Sequence, residues 1–263
     1  SVTLMVANAT GGDLDEKINY MVVTTPVFTP ADMGLVFNMR STDQVDSDAV
    51  GTPCTNGQNV WTWQDQANTN DFIQATSVNQ PIFNTNQING LPAITFDGSN
   101  DSMANTTALS FMNVNGQAGT FGCMFYISAL NSGSIFGAYG NSGLSYYRPA
   151  RLLSGSGFQF FKRDESLTTA TNVYGSDSVG WHYLLIVDGG TTYDAYVDGV
   201  QVVTAATSNV GAQVLDNSVL GRGTASAQNF NGKIAEVWGL SRVITSGEIA
   251  DTNNYFQTTY NVP

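Results

Sequence analysis

The sequence predicts an all-β chain of antiparallel strands, and three observations carry that prediction. Short runs of β-branched and aromatic residues are patterned at period 2, as strands with one buried face are. Asn-Gly, Asp-Gly and other Gly-containing turns separate them, supplying residues that tolerate the positive φ of a sharp reversal. Charged residues make up only 11% of the 263 positions, far below the usual quarter, so amides and hydroxyls must solvate the surface. A chain of this length buries most of its apolar surface and needs no metal or disulfide staple to fold.

The elements follow in order. Val2, Leu4 and Val6 alternate like a strand, and residues 18–23 form a second β-prone run that Pro26 and Pro30 close. Residues 1–32 read either as an arm that attaches to another chain or as two extra strands. Residues 35–40 form the next strand, then a polar loop over 43–57. Residues 60–66 follow, with Trp63 as core. Residues 93–96 form a short apolar strand, delivered by Asn89-Gly90 into the oxygen-rich loop 97–101. Residues 120–128 place Phe121, Cys123, Phe125 and Ile127 on one face. Residues 134–139, 144–147 and 158–162 make further strands. Residues 180–188 precede a hairpin whose Asp198-Gly199 corner suits a type I′ turn. Residues 219–222 and 230–238 close the β region. Thr245 and Glu248 then fit a capping box opening a helix on which Ile249, Phe256 and Tyr260 share a face.

Several ordered motifs add a resemblance. Asn89-Gly90-x-Pro92-Ala93-x-x-Phe96-Asp97-Gly98-Ser99-Asn100-Asp101, Val60-x-x-Trp63-x-Asp65, Tyr196-Val197-Asp198-Gly199 and Phe230-x-Gly232-x-Ile234-x-Glu236-Val237 resemble laminin-G-like domains of the concanavalin A-like lectin/glucanase superfamily, over about 34–262. The resemblance implies an antiparallel two-sheet jelly-roll sandwich at 33–263 with a short C-terminal helix, preceded by the arm. It also implies a non-catalytic module that binds surface glycans, extracellular or on a virion surface. The rival readings are a virion decoration or fibre protein anchored to virion or cell-surface proteins through residues 1–32, and a glycan-cleaving enzyme.

The chemistry narrows these. A net charge of −12 argues against nucleic-acid partners, which need concentrated Lys and Arg, and no apolar run is long enough for membrane insertion. Glycoside hydrolysis needs two carboxylates facing one cleft, and the E-x-D-x-x-E pattern of the glucanases does not occur. His182 is the one histidine, which leaves a single candidate for a Ser-His-Asp relay; a structural imidazole is the better expectation. Asp97, Asn100 and Asp101 place three oxygen donors in five residues, either a Ca2+ site of the kind the superfamily carries at its rim or an ordinary Asx turn. For organic ligands, Arg148, Arg151, Lys162 and Arg163 cluster with Tyr139, Tyr146 and Tyr147. Tyrosine faces stack on sugar rings and Arg forks hold hydroxyls or carboxylates. The competing expectation pairs these cations with Asp164 and Glu165 while the tyrosines pack.

Overall fold

A computed structural model of the chain describes residues 2–3, 22–23, 28–106, 117–153, 157–174, 178–211, 213–223 and 228–262. Among them the strands run β1 (Val2–Thr3), β2 (Val22–Val23), β3 (Phe37–Arg40), β4 (Val45–Asp46), β5 (Thr62–Trp63), β6 (Phe72–Ile73), β7 (Ile82–Ile88), β8 (Leu91–Asp97) and β9 (Met103–Asn105). They continue with β10 (Gly119–Ile127), β11 (Gly133–Tyr139), β12 (Tyr146–Leu153), β13 (Gly157–Arg163), β14 (Thr169–Tyr174) and β15 (Gly180–Asp188). The last four are β16 (Thr192–Val197), β17 (Val200–Thr207), β18 (Asn217–Leu220) and β19 (Asn231–Leu240), before helix α1 (Ser246–Tyr260).

Two antiparallel sheets face each other. One runs β17-β16-β15-β10-β19-β8-β7, with β3 also on β19; the other runs β14-β13-β12-β11-β18-β9-β6-β5-β4. The pairings confirm the jelly-roll sandwich, because chain neighbours repeatedly sit in opposite sheets. Among the described residues β1 pairs with β2 alone, in a two-stranded sheet of their own. From Phe28 onward the chain packs on the body: Phe28 and Met33 lie against the cluster beneath the helix.

Period-2 alternation builds two cores from single strands. On β10, Phe121, Cys123, Phe125 and Ile127 enter the core between the sheets, while Met124 faces α1 together with Tyr183, Leu185 and Trp238. Phe136 joins Phe37, Phe72 and Phe121 at ring separations of 5.3–6.4 Å, and Phe160 stacks on Tyr193 of the opposite sheet at 4.1 Å. Trp63 is fully buried, as its strand motif implied.

The turn chemistry holds where it was read. Asn89 and Gly90 have φ of 45° and 79°, and Asp198 and Gly199 have 50° and 77°, the paired positive values of type I′ hairpins. Thr245 and Glu248 form the capping box, and Phe256 stacks on Tyr183 at 5.1 Å. Several boundaries differ: the strand expected over 60–66 is only Thr62–Trp63, and that expected over 219–222 is Asn217–Leu220. The strand expected at 144–147 begins at Tyr146 and runs to Leu153, past Pro149, because a bulge absorbs that proline.

Candidate functional site

That bulge shapes the face on which the cations and tyrosines meet. Strict alternation would send Arg148 and Arg151, three residues apart, to opposite faces. Instead Arg148 pairs with Phe161 and Arg151 with Gln159, two residues apart on β13. Phe158 and Phe160 enter the core, so Gln159 and Phe161 face outward, and both arginines with them. The carbonyl freed at the bulge is used: Pro149 accepts the buried Tyr174 hydroxyl at 2.8 Å.

Across three strands, Tyr139, Tyr146 and Arg163 lie side by side. The Arg148 guanidinium sits over the Tyr146 ring at 4.6 Å and over Phe161 at 5.0 Å. Arg163 sits over the same Tyr146 ring at 4.4 Å. Such contacts stabilise by about 0.5–2 kcal/mol each and hold both partners in one orientation. Burial, then the charges of Arg151 and Arg163, push Arg148 down to about 10. Tyr147 is elsewhere: it is buried between the sheets, edge-on to Phe160 at 5.9 Å. Tyr139, Tyr146, Arg148 and Arg151 are thus brought together on the outer face, and Tyr147 is part of the core.

The expected pairing with Asp164 and Glu165 does not occur among the described residues. Asp164 accepts the amides of Thr168 and Gly211, and Glu165 accepts the hydroxyls of Ser142 and Ser145. Arg163 donates to the carbonyls of Leu144 and Gly143 at 2.6 and 2.9 Å. Lys162 turns inward and meets Asp188 of the opposite sheet at 3.1 Å.

The loop after β8 is a self-capped turn. Asp97 Oδ1 accepts the amides of Ser99, Asn100 and Asp101 at 2.8–3.3 Å, and Asp101 Oδ2 accepts the Asp97 amide at 3.0 Å. The Asn100 amide nitrogen donates to Val78 and Asn79. Burial, together with the Asp97 charge, raises Asp101 to about 6 despite the Asp97 amide.

His182 has the connectivity of a relay: Nδ1 lies 2.8 Å from Asp198 Oδ2 and Nε2 3.1 Å from Ser178 Oγ. Yet Nε2 also lies 3.0 Å from the Ser178 carbonyl. A carbonyl needs an N–H there, whereas a general base needs a lone pair. An imidazolium donating from both nitrogens satisfies all three oxygens. Burial works against that charge, but the Asp198 carboxylate and the Ser178 carbonyl outweigh it, and the His182 pKa is raised.

A feature that sequence reasoning missed is a cleft of about 280 Å³ lined by Asp43, Gln44, Asp46, Cys54, Gln64 and Phe83. Asp46 accepts from Gln64 at 2.5 Å. Burial, then the charges of Asp46 and Asp48, push the Cys54 thiol up to about 11, so it is a protonated, unreactive thiol. Only proximity between residues far apart in a turn-rich loop creates this cleft, and no spacing pattern marks it.

A sandwich of two antiparallel sheets with a capping helix, presenting aromatic and planar cationic side chains on an outer face, defines a lectin-like β-sandwich. The family model of the concanavalin A-like lectin/glucanases superfamily matches residues 97–250, more than half of the chain, and the chain belongs to that superfamily. Its fold is shared with solved structures of low identity. Trypanosoma rangeli sialidase in complex with sialic acid superposes with a TM-score of 0.57 at 15% identity, covering 87% of this chain and 33% of that one. The binding domain of botulinum neurotoxin serotype G gives 0.57 at 12% identity, covering 86% and 52%. Domain 4 of AbnA, a GH43 extracellular arabinanase from Geobacillus stearothermophilus in complex with arabinotriose, gives 0.56 at 15%, covering 83% and 98%. The chain therefore spans about a third of the sialidase chains it matches. No curated protein matches it.

Proposed function

We propose that this chain is a non-catalytic glycan-binding module whose binding face is the outer surface of β11, β12 and β13. The observation that carries this reading is the Arg148–Tyr146–Arg163 arrangement: an aromatic ring, half-buried and held by two guanidiniums, beside Tyr139. With Arg148 and Arg163 over its faces, the ring offers a ligand its edge and hydroxyl, and immobilising it beforehand lowers the entropic cost of binding. The arabinotriose complex of the arabinanase domain and the sialic acid complex of the sialidase support a sugar ligand by analogy of fold. A surface-displayed, extracellular setting follows from such a role.

A glycan array followed by calorimetry tests this. Saturable binding is expected, and Tyr146→Ala should weaken it by about 1–2 kcal/mol, roughly 5–30-fold. Release of reducing sugar from the same glycans would overturn the non-catalytic half of the reading.

A second reading concerns residues 1–32. Because β1 and β2 pair only with each other among the described residues, this segment is proposed as an attachment arm, to a virion or another surface assembly, independent of the sugar face. Deleting residues 1–27 should then leave glycan affinity unchanged in the same titration and remove attachment.

Calcium at Asp97, Asn100 and Asp101 is a separate proposal. The second oxygens of both carboxylates would hold it, and the cation would offset the burial and the Asp97 charge that raise Asp101. Asp101→Asn separates the cases. In chelator it should raise Tm at pH 7 by a few degrees, since a neutral amide still accepts the Asp97 amide while one desolvated charge is lost. In calcium it should lower Tm if the ion is bound. A wild-type Tm identical in calcium and chelator would remove the ion from this loop.

A further inference from the structure

We infer that the ligand recognised on this face carries a carboxylate, an acidic sugar residue seated between Arg148 and Arg151; this rests on the glycan reading and specifies its chemistry. Arg148 is 6% exposed, yet only its Nη1 has a partner among the described residues, Gln228 Oε1 at 2.7 Å. Its Nε is buried without one, and so is the Nε of Arg151. Arg151 Nη1 likewise donates to an amide oxygen, that of Gln159 at 2.7 Å. Neutral amides orient both guanidiniums without cancelling either charge.

Arg148 is buried and Arg151 half-buried on one face, and Arg163 shares the Tyr146 ring with Arg148; such cations repel one another unless an anion joins them. The acidic side chains nearest in sequence are engaged with hydroxyls and backbone amides. In a chain of net charge −12, such a concentration of unneutralised arginine works against the general field. Guanidinium donors in a planar fork match the two oxygens of a carboxylate. Tyr139, half-buried beside Tyr146, is left to meet the apolar face of the sugar ring.

The experiment is calorimetry of the full chain with trigalacturonate and sialyllactose, each against its neutral counterpart, methyl-esterified trigalacturonate and lactose. At least one acid should bind about tenfold or more tightly than its counterpart, and the arm that responds distinguishes a uronate from a sialate. Arg151→Gln and Arg148→Lys should each shrink that preference to about twofold. Melting curves of both variants separate a lost site from a lost fold, and Arg148→Lys keeps the buried charge. Equal affinity for acid and neutral forms would overturn the carboxylate while leaving glycan binding in place. An undiminished preference in both variants would overturn the assignment to these arginines. No binding to any glycan of the array would overturn the glycan reading itself.

Discussion

Lys162→Met is expected to destabilise the protein by about 3–5 kcal/mol, the cost of leaving one member of a buried ion pair without its partner. Lys162 Nζ lies 3.1 Å from Asp188 Oδ2, with side chains only 5% and 3% exposed. Asp188 Oδ1 accepts the Ser208 hydroxyl at 2.6 Å and the Gly190 amide at 2.8 Å. Those bonds remain in the variant, but they do not neutralise a carboxylate held away from water. The pair also joins β13 of one sheet to β15 of the other, so its loss loosens the end of the sandwich beside the cationic face. The double variant Lys162→Met/Asp188→Asn should recover most of the loss, because no net charge is then buried. Urea unfolding of the three proteins measures this. A single-variant loss below about 1 kcal/mol, as for an exposed pair, would show that water reaches the site.

Glu236 gives the second large effect, and a contrast between two substitutions. Its side chain is fully buried beneath α1, and Oε2 accepts the hydroxyls of Tyr255 and Tyr260 at 2.7 and 2.6 Å. Glu236→Leu removes the acceptor from two buried hydroxyls and should cost about 2–5 kcal/mol, with fraying of the helix visible in hydrogen exchange. Glu236→Gln keeps an oxygen for both tyrosines. Burial raises the Glu236 pKa against the opposing pull of Tyr260, Tyr255 and Arg40, so the folded state holds a proton that the unfolded state releases. Stability from this group falls as pH rises from the unfolded pKa toward the folded one. The Gln variant should therefore match wild type below the unfolded pKa and exceed it increasingly as pH rises above that value.

The same sign applies to two other groups. Asp101 is raised from 3.8 to about 6, and stability falls as pH rises through that window. His182, also raised, contributes fully below its unfolded pKa and loses its contribution as pH rises through the folded value. In the opposite direction, the Arg242 hydrogen bond and the Thr245 amide lower Glu248 to about 2. The contribution of Glu248 is present above its unfolded pKa and lost as pH falls toward the folded one. The stability maximum is therefore expected in acid, roughly pH 4–5, near the unfolded carboxyl values. There Glu248 already contributes and Asp101 and Glu236 have only begun to lose stability, and thermal melts across pH locate the maximum.

Much of the architecture was legible from residue order. The Asn89-Gly90 and Asp198-Gly199 corners, the alternating face of β10 and the Thr245–Glu248 cap are local, set by φ preferences, a period of two and short-range hydrogen bonds. The inward turn of Lys162 follows from its register with Phe158 and Phe160, although composition alone grouped it with the arginines. Tyr147 was grouped with its neighbours for the same reason, and alternation across Tyr146, Tyr147 and Arg148 separates it from them.

What the sequence by itself determined was the identity of the longer core strands, the two hairpin corners and the cap, though not β4, β6, β7, β9 or β14, and the presence of cations and tyrosines in one stretch of chain. Tertiary structure decided which of those side chains meet. A bulge between Met124 and Phe125 in the pairing of β10 with β19 turns Glu236 toward α1 and leaves Ile234 and Val237 on the core face. A bulge around Pro149 likewise puts Arg148 and Arg151 on one surface. One extra residue in a strand reverses the face of all that follow, and whether the ladder takes it up depends on partner strands distant in the sequence.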